Sequence, residues 1–159
     1  MSQAKFNLKK WYQFLALGFG SGLSPVAPGT FGTLAAVPLV ALLLWAGNLY
    51  LLAFVLVGSV LGVYLCGKTA DDIGHHDHAA IVWDEVVGYG ITLLWAPLHW
   101  QTLLLGFVLF RLFDIVKPWP IRWLDKTVHG GVGIMLDDIM AGIAALISLQ
   151  LLLPYLPLG

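Results

Sequence analysis

The stretch that most constrains this chain is Ile81-Val82-Trp83-Asp84-Glu85-Val86-Val87-Gly88, where two adjacent carboxylates interrupt residues 79–97, a run that is otherwise apolar. Such a run is about as long as a helix that crosses the ~30 Å hydrocarbon core of a bilayer. Acids held there are costly unless something compensates them. A divalent cation would do so, because carboxylate oxygens are the ligands that Mg²⁺ prefers. The competing interpretation is a helix end whose acids reach water at the membrane surface.

The rest of the chain supports a membrane setting. It is 59% hydrophobic and only 11% charged over 159 residues, with mean hydropathy +0.86, whereas a soluble domain is about 25% charged. The expected fold class is an all-α integral membrane bundle, organised as one unit over residues 1–159. A net charge of −1 leaves no basic excess to neutralise phosphates, which excludes nucleic acid as a partner. Cys66 is the sole cysteine, so no intramolecular disulfide forms. Lys5, Lys9 and Lys10 precede apolar residues, as in a signal peptide. However, Gly18, Gly20, Gly22 and Pro25 break that stretch and no cleavage site follows, so it is expected to be retained.

Residues 1–15 read as a short basic, aromatic helix at the interface, with Trp11, Tyr12 and Phe14 dipping inward. Residues 18–33 are too rich in breakers for a continuous helix and too apolar for a water-exposed loop. A re-entrant or broken segment buried in protein is expected there. Five spanning helices follow, over roughly 34–46, 49–67, 79–95, 102–116 and 134–153. Lys68, Lys117, Arg122 and Lys126 fall in the second-to-third and fourth-to-fifth links, and the turns at Gly47-Asn48 and 97–101 carry no Lys or Arg. The positive-inside rule then puts the amino terminus in the cytoplasm and the carboxyl terminus outside.

In that topology Asp84 and Glu85 sit roughly 8 Å into the third helix at 1.5 Å per residue. Asp114 lies near the same end of the fourth helix, and Asp137-Asp138 near the same end of the fifth. Intramembrane acids that share a depth are expected to pair, bind ions or serve function; the bland alternative is that each marks a helix end. Arg111, Asp114 and Lys117 are spaced i, i+3, i+6 on one helix face. They suit an anionic ligand, or an ordinary Arg111–Asp114 ion pair. Pro118 ends that helix, and Trp119 and Trp123 read as interfacial anchors. The glycine-rich stretch could offer backbone N–H groups to a phosphate, with hydroxyls from Ser21, Ser24 and Thr30; tight helix packing would explain the same glycines. His75, His76 and His78 lack a recognised zinc-ligand spacing and read as a solvated loop. Residues 58–62 form a GxxxG motif, which serves either a homo-oligomer or packing within one chain.

Four stretches together resemble the bacterial phosphatidylglycerophosphatase A family: GFGSGLSPVAPGTFGT at 18–33, HDHAAIVWDE at 76–85, FRLFDIVKPWPIRW at 110–123 and HGGVGIMLDDIMAG at 129–142. They occur in family order and cover about a third of the chain. The resemblance implies a Mg²⁺-dependent phosphatase of the bacterial inner membrane, and the distribution of basic residues puts its site at the cytoplasmic face. Its substrate and lipid partner would be phosphatidylglycerophosphate, and its product phosphatidylglycerol. Carried over by motif, the functional positions are Asp77, Asp84, Glu85, Asp114, Lys117, Asp137 and Asp138, with Gly29 and Thr30 in the loop. On this reading Asp84, Glu85, Asp114, Asp137 and Asp138 supply Mg²⁺ ligands. Asp84, Glu85, Asp138 and Asp77 act in catalysis. Lys117 and Arg111 hold the phosphate, with Gly29, Thr30 and Ser21 beside them. Attack by water and attack by an Asp giving an aspartyl-phosphate both remain open. The rival class is a small cation carrier using the same acids. A carrier should place polar residues through the membrane depth, whereas the outer halves of these helices are apolar.

Overall fold

Charge is segregated along this chain rather than around it: no Asp, Glu, Lys or Arg occurs in residues 31–67, 86–110 or 139–159. Helices built from those segments can meet lipid along their length and gather their charges only at one end. The computed structural model, which describes residues 6–75 and 78–157, has that arrangement. It is all-helical, with no strand among the described residues. The elements are α1 (Trp11–Ala16), a 3₁₀ turn (Gly18–Leu23), α2 (Pro28–Ala46), α3 (Asn48–Ile73), α4 (Trp83–Thr92), α5 (Trp100–Val116), α6 (Ile121–Thr127), α7 (Gly130–Leu152) and a last 3₁₀ turn (Leu153–Tyr155).

α2, α3, α4, α5 and α7 run alternately between the two ends of the bundle. At the uncharged end, Asn48 Oδ1 accepts the Trp95 N–H at 2.7 Å and Gln150 Nε2 donates to Leu94 O at 3.1 Å. Among the described residues three helical segments are long and apolar enough to cross a membrane, Pro28–Ala46, Asn48–Ile73 and Gly130–Tyr155. α5 has 17 residues, about 26 Å of helix. Leu42, Trp45, Leu56, Val60, Leu104 and Ile147 are exposed, as a lipid-facing surface requires.

The third expected helix differs most. Over 79–95 only Trp83–Thr92 is helical, about 15 Å long, and nine of its ten residues are buried. It is the axis of the bundle, enclosed by α2, α3, α5 and α7. The non-helical residues next to it, 80–82 and 93–94, are buried in protein, where depth in a membrane tolerates such backbone. Close backbone approach makes this enclosure possible. A Cβ on Gly142 of α7 would lie 2.6 Å from Gly88 O of α4, and a Cβ on Gly88 would lie 2.9 Å from Asp138 O. The GxxxG glycines serve the same purpose within the chain: Gly58 O accepts the indole N–H of Trp83 at 3.0 Å, and a Cβ on Gly62 would strike Trp83 and Met135.

Other boundaries shift for identifiable reasons. α2 begins at Pro28 rather than 34, because a proline at the first helical position lacks only an N–H that would go unpaired anyway. α3 continues through the polar residues to Ile73. Its last turns are fastened by Asp72, whose carboxylate meets Lys10 Nζ at 2.8 Å, Gln13 Nε2 at 3.0 Å and Lys68 Nζ at 3.2 Å. That cluster ties α1 to α3.

Candidate active site

The start of α4 is fixed by one long-range and one local hydrogen bond. Val82 N–H donates to Ala16 O at 2.8 Å, and the Ala80 N–H donates to His78 Nδ1 at 3.1 Å. The glycine-rich stretch makes room for this strand-like approach. A Cβ on Gly22 would strike Ala80 O, and one on Gly32 would lie 2.5 Å from Val82 Cβ. Asp84 and Glu85 consequently occupy the first turn of α4 rather than a position roughly 8 Å into a helix. The partial positive charge of a helix N-terminus favours acids there by about 0.3–1 kcal/mol, up to ~2 when partly buried. Burying an ion costs several kcal/mol, so the helix alone does not explain them.

The two acids open onto a cavity of about 400 Å³ that also receives Gly29 from α2, Arg111 and Asp114 from α5, Lys117, and Asp137 and Asp138 from α7. Asp84, Glu85 and Asp138 each bring a carboxylate oxygen within 4.8 Å of the other two. Asp84 is 8% exposed and Asp138 2%. Asp84 Oδ1, Glu85 Oε2 and Asp138 Oδ2 are buried with no hydrogen-bond partner among the described residues. A buried polar atom in that state is costly, and three like charges together are more so. Three convergent carboxylates, each with a buried oxygen left unpartnered, are the kind of donor set that fits a hard divalent cation. It is the only such cluster of His, Cys, Asp or Glu among the described residues.

The cations of the cavity are already committed. Arg111 ion-pairs with Asp114 through Nη1, which lies 3.7 Å from Glu85 Oε1; its Nε is buried and has no partner among the described residues. Gly29 exists beside them for lack of space: a Cβ there would strike Glu85 Oε1 and lie 3.0 Å from Arg111 Nη1. Lys117 caps α5 in the left-handed region at φ 45°, a conformation that costs a non-glycine residue ~1 kcal/mol or more and that takes the chain out of the helix before Pro118. The turn delivers Lys117 Nζ to Asp125 Oδ1 at 2.7 Å and Asp137 Oδ2 at 2.6 Å. Burial disfavours that ammonium, but the two carboxylates outweigh it and hold its pKa above the ordinary lysine value.

Of the residues expected from sequence, Asp84, Glu85, Asp114, Asp137, Asp138, Arg111, Lys117 and Gly29 thus converge on one cavity. Ser21 and Thr30 are not in its lining, and Ser21 Oγ instead donates to Gly18 O at 2.7 Å. Asp77 and His76 lie outside the described residues. Asp125 is the member that sequence reasoning misses. It lies eight residues from Lys117 across a helix break, so no periodicity connects the two.

The family model described as "Phosphatidylglycerophosphatase A" matches residues 14–153. A phosphatidylglycerophosphatase A of Escherichia coli is 49% identical over 163 residues, covering 100% of this chain and 93% of that protein. One from Haemophilus influenzae is 50% identical, covering 90% and 89%. A Bacteroides thetaiotaomicron protein, named provisionally as a phosphatidylinositol-3-phosphatase, is 37% identical, covering 84% and 87%. No solved structure matches. The chain is a phosphatase and belongs to the phosphatidylglycerophosphatase A family.

Proposed function

We propose that this protein hydrolyses the terminal phosphate monoester of phosphatidylglycerophosphate, releasing inorganic phosphate and leaving phosphatidylglycerol, with Mg²⁺ held by Asp84, Glu85 and Asp138 and bordered by Asp114 and Asp137. The lipid follows the names of the two relatives that are about half identical. The observation that carries the metal is the charge balance of the cavity, where five carboxylates face two cations that are themselves paired. A phosphate dianion entering that cavity alone would be repelled. Bound Mg²⁺ would supply neutralising charge and a water of lowered pKa.

The chain's own residues carry the remaining tasks. Arg111 brings its guanidinium charge to the cavity for a phosphate oxygen, and Asp114 fixes the guanidinium while it does so. Gly29 keeps open the space that Glu85 and Arg111 occupy. Lys117, tethered by Asp125 and Asp137, keeps a positive charge at the mouth. Water adds to phosphorus, the ester oxygen departs, and a proton ends on that oxygen to give the free glycerol hydroxyl. The charged end faces the cytoplasm of a bacterial inner membrane that the chain crosses several times.

The test is phosphate release by the purified protein acting on phosphatidylglycerophosphate. Activity should vanish in excess chelator and return with Mg²⁺. Full activity in chelator, or none on this lipid under any divalent ion, would contradict the proposal.

A further inference from the structure

A second cavity, of about 500 Å³, adjoins the acidic one. Its walls include Lys117, Trp119, Arg122, Trp123 and Lys126, and Lys117 lines both cavities. Most described cations of this protein have a carboxylate partner: Lys10 and Lys68 on Asp72, Arg111 on Asp114, and Lys117 on Asp125 and Asp137. Arg122 and Lys126 have no ion pair and no side-chain hydrogen bond among the described residues. They lie four residues apart on α6 and so share a face. Trp119 and Trp123, 83% and 58% exposed, stand beside them.

Indoles and basic side chains at a membrane surface often serve as anchors. The position of this groove asks more of it. Phosphatidylglycerophosphate carries two phosphates joined through one glycerol. When the terminal monoester lies among the carboxylates, the phosphodiester lies one glycerol away. It is an anion and gains nothing from staying in a cavity dominated by acids. The adjoining cavity holds two uncommitted cations, and its indoles offer flat apolar faces to glycerol C–H groups.

We infer that this groove is a second phosphate subsite, in which Arg122 and Lys126 hold the phosphodiester of the substrate headgroup. It selects lipids with two phosphates over lipids with one. The inference rests on the proposed function above and adds the origin of its headgroup specificity. A free donor on Arg122 and another on Lys126 can each make a charge-assisted hydrogen bond to a phosphodiester oxygen.

The experiment compares the full chain with the double variant Arg122→Gln/Lys126→Gln in uncharged detergent micelles, where general attraction to an anionic surface is absent. The KM for phosphatidylglycerophosphate should rise about tenfold or more, as expected for losing charge-assisted contacts, while kcat changes little. Phosphatidylglycerol, which retains the phosphodiester and lacks the monoester, should weaken as an inhibitor by a similar factor. Inhibition by phosphatidic acid, which has only a monoester, should not change. The charge-preserving pair Arg122→Lys/Lys126→Arg should restore most of the KM. An unchanged KM, or equal losses against phosphatidylglycerol and phosphatidic acid, would overturn the subsite and leave the proposed function standing. A wild-type protein that releases no phosphate from phosphatidylglycerophosphate would overturn both.

Discussion

Asp84 and Asp138 are held together in one carboxylate cluster, and each has a buried oxygen with no hydrogen-bond partner among the described residues. This makes opposite predictions for stability and for activity. Removing one buried like charge relieves repulsion, so Asp84→Asn and Asp138→Asn should unfold in chelator at temperatures no lower than wild type. Each should release phosphate at least about two orders of magnitude more slowly, since a group that stabilises transition-state charge is typically worth that much. Thermal unfolding and phosphate release on the same preparations check both. Near-normal turnover in both variants at saturating Mg²⁺ would remove these acids from the site. The carboxylates, Arg111 and Lys117 were legible in the sequence because a charge inside an apolar helix is expensive and must be explained. Asp125 was not, because its importance comes from a turn at Lys117 that brings together residues with no common period. Ser21 and Thr30 lie outside the lining of the acidic cavity for a related reason. Glycines beside hydroxyls suit phosphate binding and tight packing equally, and here Gly22 and Gly32 are used to seat Ala80 and Val82.

Among the elements, α4 and α7 position the acids, and their separation is set by glycine rather than by interdigitated side chains. A methyl group at Gly142 would lie 2.6 Å from Gly88 O. Backbone cannot rotate away as a side chain can, so α7 must move and take Asp137 and Asp138 with it. Gly142→Ala should therefore lower both the unfolding temperature and phosphate release, the latter by about tenfold or more on the scale of a mispositioned catalytic group. An active, fully stable Gly142→Ala protein would mean that the α4–α7 approach is not the constraint described here. The existence of the long helices was legible from hydropathy alone. The extent of α4 was not. Its start depends on a hydrogen bond from Val82 to Ala16, 66 residues earlier, and no local pattern announces such a contact. The extension of α3 to Ile73 was hidden in the same way, because the partners of Asp72 include Lys10 and Gln13 on α1.

For the whole molecule, the dominant fact is that, among the described residues, the Asp, Glu, Lys and Arg side chains gather at one end and the other end has none. The segments free of Asp, Glu, Lys and Arg form the far half of every crossing helix, which leaves no line of acids through the membrane for a cation to follow. A one-sided site is what a lipid phosphatase needs, since its substrate presents phosphate only at the leaflet surface. Basic links resist translocation, so the charged end should be cytoplasmic. A cysteine replacing Lys126, which is exposed, in a Cys66→Ser background should escape an impermeant thiol reagent in intact spheroplasts and react once the membrane is opened. A cysteine replacing Asn48, at the uncharged end, should react in both. Reaction of position 126 in sealed spheroplasts would invert the topology.

Everything claimed for catalysis depends on the carboxylate cluster being a divalent-cation site. The most direct measurement is a titration of the purified, substrate-free protein with Mn²⁺, a spectroscopic stand-in for Mg²⁺, followed by electron paramagnetic resonance and competed with Mg²⁺. Wild type should show saturable binding that Mg²⁺ displaces, and Asp84→Asn and Asp138→Asn should each lose it. Binding that is absent from wild type, or that survives both substitutions unchanged, would contradict the site.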